Sequence, residues 1–138
     1  MSQGSRIDII ENYNSEKLKN KRNLYIYVPE GYDSEPDKRY PVLYMHDGQS
    51  IFDCAGDSLS GASWHVNRVA DKLIRERKIC KLIIVGISNS RSRASEYIHR
   101  SCVDKVVENS SFGEYKLNAE ASGYAYEEFL IGQLMPFI

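Results

Sequence analysis

His46-Asp47-Gly48-Gln49 places an imidazole, a carboxylate, a glycine and an amide directly after the apolar segment Pro41-Val42-Leu43-Tyr44-Met45. Such a break reads as a buried strand ending in a tight turn. A metal or acid/base pair is the less favoured use of His46 and Asp47, because neighbours on an extended segment point to opposite faces. A structural turn accounts for them better. A second group, Ser88, Glu96 and His99, runs in the order nucleophile, acid, base, and Gly86-Ile87-Ser88-Asn89-Ser90 sets that serine after an apolar run. However, Ser90 stands where a sharp nucleophile turn needs glycine, and all three groups crowd into one polar stretch. The polar end of a strand explains Ser88 more simply. Arg93 and Glu96 read as an ion pair that pins this stretch, His99 as a surface residue, and His65 and Cys54 as incidental to a loop and helix start. Cys54, Cys80 and Cys102 are odd in number, widely spaced and without metal-ligand spacing, which suits reduced thiols.

The elements that must position these residues follow from patterning. Arg6–Ile10 reads as a short strand, Asn12–Lys21 as a polar, turn-rich stretch, and Asn23–Val28 as a strand of aromatic and β-branched residues. Pro29-Glu30-Gly31-Tyr32 ends that strand, since proline cannot continue a ladder and glycine permits the turn. Pro41 opens a third strand. After the Gly/Ser-rich loop 53–62, Val66, Val69, Ala70, Leu73 and Ile74 form one apolar stripe, predicting a helix with Ser63 as its N-cap. Leu82–Ile87 is apolar on both faces, as a buried parallel strand is. Ser88–Gly123 is long, polar and irregular. Tyr124–Met135 predicts a last helix, stopped by Pro136. The order β-β-β-α-β-loop-α predicts an α/β sheet with parallel crossovers after an antiparallel start.

The chain has 138 residues, 42% hydrophobic and 27% charged, with net charge -1. That is at most one domain's worth of chain, and no basic surface points to nucleic acid or membrane as partner. The basic run Lys17–Arg22 reads as a solvated turn. The longest apolar run, Leu82–Ile87, is far shorter than the ~20 residues of a membrane span. No apolar signal segment opens the sequence, so the cytoplasm is the expected compartment. The 10 tyrosines fall mostly in predicted strands and a helix, where packing explains them as well as carbohydrate stacking would.

One resemblance is specific. Arg22, Tyr27, Pro29, Gly31, Tyr32, the run Tyr40-Pro41-Val42-Leu43-Tyr44 and the turn His46-Asp47-Gly48 fall in the order found in the esterase family of α/β-hydrolases. That family includes enterochelin esterases, S-formylglutathione hydrolases and feruloyl esterases. Ser63-Trp64, Val85-Gly86-Ile87, Arg93 with Glu96-Tyr97, and the segment 126–138 extend the likeness over about residues 6–138. The resemblance implies a mostly parallel α/β-hydrolase sheet with flanking helices, hydrolysing carboxylic esters through a serine acyl-enzyme without metal or cofactor. It also implies that the loop 46–50 supplies one donor of an oxyanion hole, through the backbone of Gly48 and Gln49. Asp47 and Trp64 would face the substrate, with a core aromatic as the alternative role of Trp64.

The family's Gly-x-Ser-x-Gly elbow occurs nowhere in the 138 residues. The expectation is therefore an N-terminal portion, 1–138, of a single hydrolase domain, lacking the nucleophile strand and all later elements, and inactive alone. Its expected partners are a small-molecule ester in the complete enzyme and a C-terminal half or a second copy covering an exposed edge on the fourth strand. The alternative is a non-catalytic interaction protein that uses the half-sheet to dimerise or to bind a full-length relative.

Overall fold

The computed structural model describes residues 4–53, 62–99, 102 and 121–138. Two compact units divide the chain: Met1–Tyr13 with Arg22–Asn89, and Asn14–Lys21 with Ser90–Ile138. The first unit carries most of a four-stranded sheet of order β1-β2-β4-β3, formed by β1 (Arg6–Ser15), β2 (Asn20–Val28), β3 (Val42–His46) and β4 (Ile83–Ile87). The sheet is mixed. β2 runs antiparallel to β4, with Leu24 opposite Ile87, while β3 runs parallel to β4, with His46 opposite Ile87. The expectation of a mostly parallel sheet is corrected here: a parallel pair needs a crossover, and only α1 (Val66–Arg75) supplies one among the described elements. β4 lies inside the sheet and β3 at its end, so the exposed edge expected on the fourth strand belongs to β3 instead, where Leu43 is 44% exposed.

β1 and β2 reach further into the polar stretch than its composition implies. Asn12 and Lys19 adopt left-handed backbone (φ 55 and 53), and the Asn12 N–H donates to Asn23 Oδ1 at 3.0 Å. Lys17, Lys19 and Lys21 are exposed, but Arg22 is buried and sends Nη1 to the Ser88 carbonyl at 3.4 Å, so the basic run is only partly a solvated turn. Gly31, at φ 83 and ψ 4, gives the turn after β2 its second central residue, and the Tyr32 N–H closes it on the Pro29 carbonyl at 3.2 Å.

Tyr25, Tyr27, Ile51, Phe52, Ala70 and Ile84 form the core of this unit. α1 presents Ala70 to it with Val66 packed alongside, whereas Val69 is 51% exposed and leaves the expected stripe. The helix has no side-chain N-cap: His65 stands at the cap in left-handed backbone (φ 54), and Ser63 Oγ instead accepts the His65 N–H at 3.0 Å.

In the second unit a short helix, α2 (Arg93–Glu96), breaks what was expected as irregular chain. α3 (Gly123–Phe129) packs Tyr126 edge-on against Tyr97 at 5.2 Å and Phe129 at 5.9 Å. A π-helical turn, Leu130–Leu134, then leads into a last helical turn, Met135–Phe137. Pro136 therefore does not stop the helix. It sits in the first turn after the widened segment, where a missing N–H is tolerated, and the Ile138 N–H still reaches the Leu134 carbonyl at 3.2 Å.

Candidate active site

Because β3 and β4 are parallel, the loops after them leave the same edge of the sheet. Ligands of open α/β sheets gather at the carboxyl ends of such strands. The β3 loop opens with Asp47 in left-handed backbone (φ 57, ψ 42) and winds through a single 3-10 turn, Gly48–Ser50. The Ser50 N–H returns to the Asp47 carbonyl at 2.9 Å. Aspartate tolerates this backbone region better than most side chains.

Gly48 is buried against β4. A Cβ placed there would lie 2.5 Å from the Gly86 carbonyl carbon and 2.7 Å from the Ile87 nitrogen, so only glycine admits this approach. The side chains of the turn face the β4 loop. Asn89 Nδ2 donates to Asp47 Oδ1 at 2.7 Å, and the Asn89 N–H donates to Gln49 Oε1 at 3.1 Å. The Gln49 side chain is thus occupied, while its backbone N–H meets no acceptor among the described residues. The loop is a preset turn with a donor to spare.

After Ser50 the chain dives into the core through Ile51 and Phe52 and emerges at Asp53. The segment preceding α1 returns to the same place: the Trp64 N–H donates to the Ser50 carbonyl and the Val66 N–H to the Ile51 carbonyl, both at 2.9 Å. Trp64 is 60% exposed and does not cover the sheet. Asp53 accepts from His65 Nδ1, from Asn67 Nδ2 at 3.2 Å and from Arg68 Nε at 2.5 Å. The His65 hydrogen bond first, then those of Arg68 and Asn67, hold the Asp53 carboxyl below its usual 3.8 against the opposing effect of desolvation.

Ser88 is committed to the sheet. Its Oγ accepts the Asn23 N–H at 2.8 Å, and its own N–H donates to the Asn23 carbonyl at 3.0 Å. In the second unit Glu96 is buried and accepts from Asn20 Nδ2 and Ser90 Oγ, both at 2.9 Å. Arg93 lies over the Tyr97 ring at 5.1 Å. His46 and His99 are exposed, as are Cys80 and Cys102, while Cys54 lies outside the described residues. Among the described residues no group of His, Cys, Asp and Glu is arranged to hold a metal, and no helix is long and apolar enough to cross a membrane.

Patterning placed Gly48 and Gln49 correctly at the strand end but missed the pairing of His65 with Asp53. The one available signal was the position of Asp53 and His65 at the two ends of one loop.

Solved structures resemble this chain in fold. An IroE-like serine hydrolase from Shewanella oneidensis matches with a TM-score of 0.69 at 26% identity, over 96% of this chain and 38% of that one. A ferulic acid esterase matches at 0.57 and 22% identity, over 98% of this chain and 43% of the other. The BES protein from Bacillus cereus matches at 0.56 and 16% identity, over 99% and 48%. The last two likenesses speak to the fold alone. This chain spans about two fifths to one half of the length of these structures. No curated protein matches the sequence. The family model described as Putative esterase matches residues 15–138, and the chain belongs to that family.

Proposed function

We propose that this chain supplies the oxyanion-binding portion of a serine-type carboxylic ester hydrolase, as the N-terminal part of a single hydrolase domain. The observation that carries the reading is the Gln49 N–H, without an acceptor among the described residues, in a turn locked by Gly48 against β4. Serine attack on an ester builds negative charge on the carbonyl oxygen, and preset backbone N–H groups stabilise it without reorganising. In α/β-hydrolases one donor comes from the loop after the third strand and the other from the residue after the nucleophile. Gly48 and Gln49 are the backbone of the first donor. Asp47 and Trp64 border the acyl group, Trp64 with an exposed side chain and its own N–H bonded to the Ser50 carbonyl of the loop.

In this reading the serine nucleophile lies outside the described residues. Ser88 spends its oxygen on β2, and the sequence holds no Gly-x-Ser-x-Gly. Fluorophosphonate labelling of the purified chain, with intact mass as readout and circular dichroism as the control for folding, tests this. The folded chain is expected to remain unlabelled. One stoichiometric adduct would place a reactive serine within it and overturn the proposal.

A further inference from the structure

We propose that His65, oriented by Asp53, is an acyl-accepting nucleophile in its own right, acting on activated esters without any serine. This goes beyond the oxyanion reading, since it assigns a reaction to the chain by itself. The geometry is that of a built dyad. His65 Nδ1 is bonded to Asp53, which fixes Nδ1 as the protonated nitrogen and leaves the Nε2 lone pair on the opposite side of the ring. The His65 side chain is 53% exposed, so a small acyl donor can reach it.

The carboxylate is itself held still. Arg68 Nε and Asn67 Nδ2 both donate to Asp53 Oδ2, leaving Oδ1 to the imidazole. The His65 hydrogen bond and theirs hold the Asp53 carboxyl below its usual carboxylate range. His65 also occupies left-handed backbone (φ 54), where the Ser63 hydroxyl accepts its N–H and the Trp64–Ser50 backbone bond holds the preceding residue. Trp64 next to it offers an exposed aromatic face to the acyl or aryl group.

The reaction balances within the chain and water. Neutral Nε2 attacks the ester carbonyl, and the tetrahedral oxyanion collapses to expel the alkoxide or phenolate, leaving an N-acyl imidazolium whose Nδ1 proton faces Asp53. Water then attacks the acyl carbon and gives up one proton to the expelled alkoxide or phenolate through solvent; the C–Nε2 bond breaks, the carboxylic acid leaves, and neutral His65 is regenerated. His65 touches the reacting atoms, whereas Asp53 is a positioning residue.

The test uses p-nitrophenyl acetate with the whole 138-residue chain. Replacement H65Q is expected to lower nitrophenolate release at least about 10²-fold, the low end of what a positioned imidazole contributes. D53N lowers it less, with partial rescue by D53E, while H46Q and H99Q leave it unchanged. An H65Q chain with the wild-type rate overturns the proposal, and so does inhibition of the wild-type rate by a fluorophosphonate, which assigns the activity to a serine. Should H65Q fail to fold, diethyl pyrocarbonate on the wild-type chain decides by mass mapping. Faster modification of His65 than of His46 and His99 upholds the dyad, and equal rates overturn it.

Discussion

Gly48 and Asp53 are the residues on which the loop geometry depends most. A methyl group on Gly48 meets backbone atoms of Gly86 and Ile87, which cannot rotate away, whereas one on Gly86 meets chiefly the end of the Ile51 side chain at 2.6 Å. We therefore expect G48A to cost about 1–3 kcal/mol as an overpacking change, and more than G86A, when both are measured by urea unfolding. Asp53 is tested by pH. Its carboxyl is held below the usual 3.8, so the stability it contributes is fully present above that value and lost as pH falls through the lower folded pKa. The difference in Tm between wild type and D53N should be constant from neutral pH down to about 4 and vanish below it. A gap that persists in strong acid would show that the carboxylate is not what gathers the start of α1. The turn at Gly48 was legible because it is local: an apolar run, then glycine between polar residues. The Asp53–His65 pair was not, because it depends on a left-handed cap that folds the chain back across a loop, and no periodicity encodes that.

Among the elements, β4 and α1 lay where apolar runs and the helical stripe placed them, since each buries one local pattern. Strand order is a different matter: two apolar strands in sequence do not reveal which becomes interior, and the assignment of the edge to β4 was wrong for that reason. β3 at the end of the sheet leaves Val42 36% and Leu43 44% exposed. An apolar edge strand invites pairing with other chains. L43K should lower concentration-dependent association in light scattering without moving the Tm, and unchanged association would clear this edge. The last helix behaves similarly. Its register was legible but its continuation past Pro136 was not, because the π-helical turn that accommodates the proline leaves no mark in the apolar spacing. Gly132 lies in that turn with open space around its Cβ position. G132A should stabilise the chain by about 0.5–1 kcal/mol by restricting the unfolded state.

At the scale of the whole molecule, family membership and the site geometry converge on one division of labour. The motif residues before β3 serve structure: Tyr27 donates to Asp71 at 2.8 Å, Arg22 reaches Ser88, and Gly31 makes the turn. These contacts tie β2 to α1 and to the residue just after β4. The chemistry assigned to the β3 loop lies in its backbone, which no side chain substitution removes cleanly, except that proline has no N–H to give. The most direct measurement places these 138 residues in the corresponding position of the Shewanella hydrolase and compares Q49P with Q49A in ester hydrolysis. Both variants lose the side-chain bond to Asn89, and only Q49P loses the N–H. Loss of one oxyanion donor costs about 10²–10³ in kcat, so Q49P should fall by that factor below Q49A at similar KM. Equal turnover in the two variants would contradict the assignment of Gln49 to the oxyanion hole.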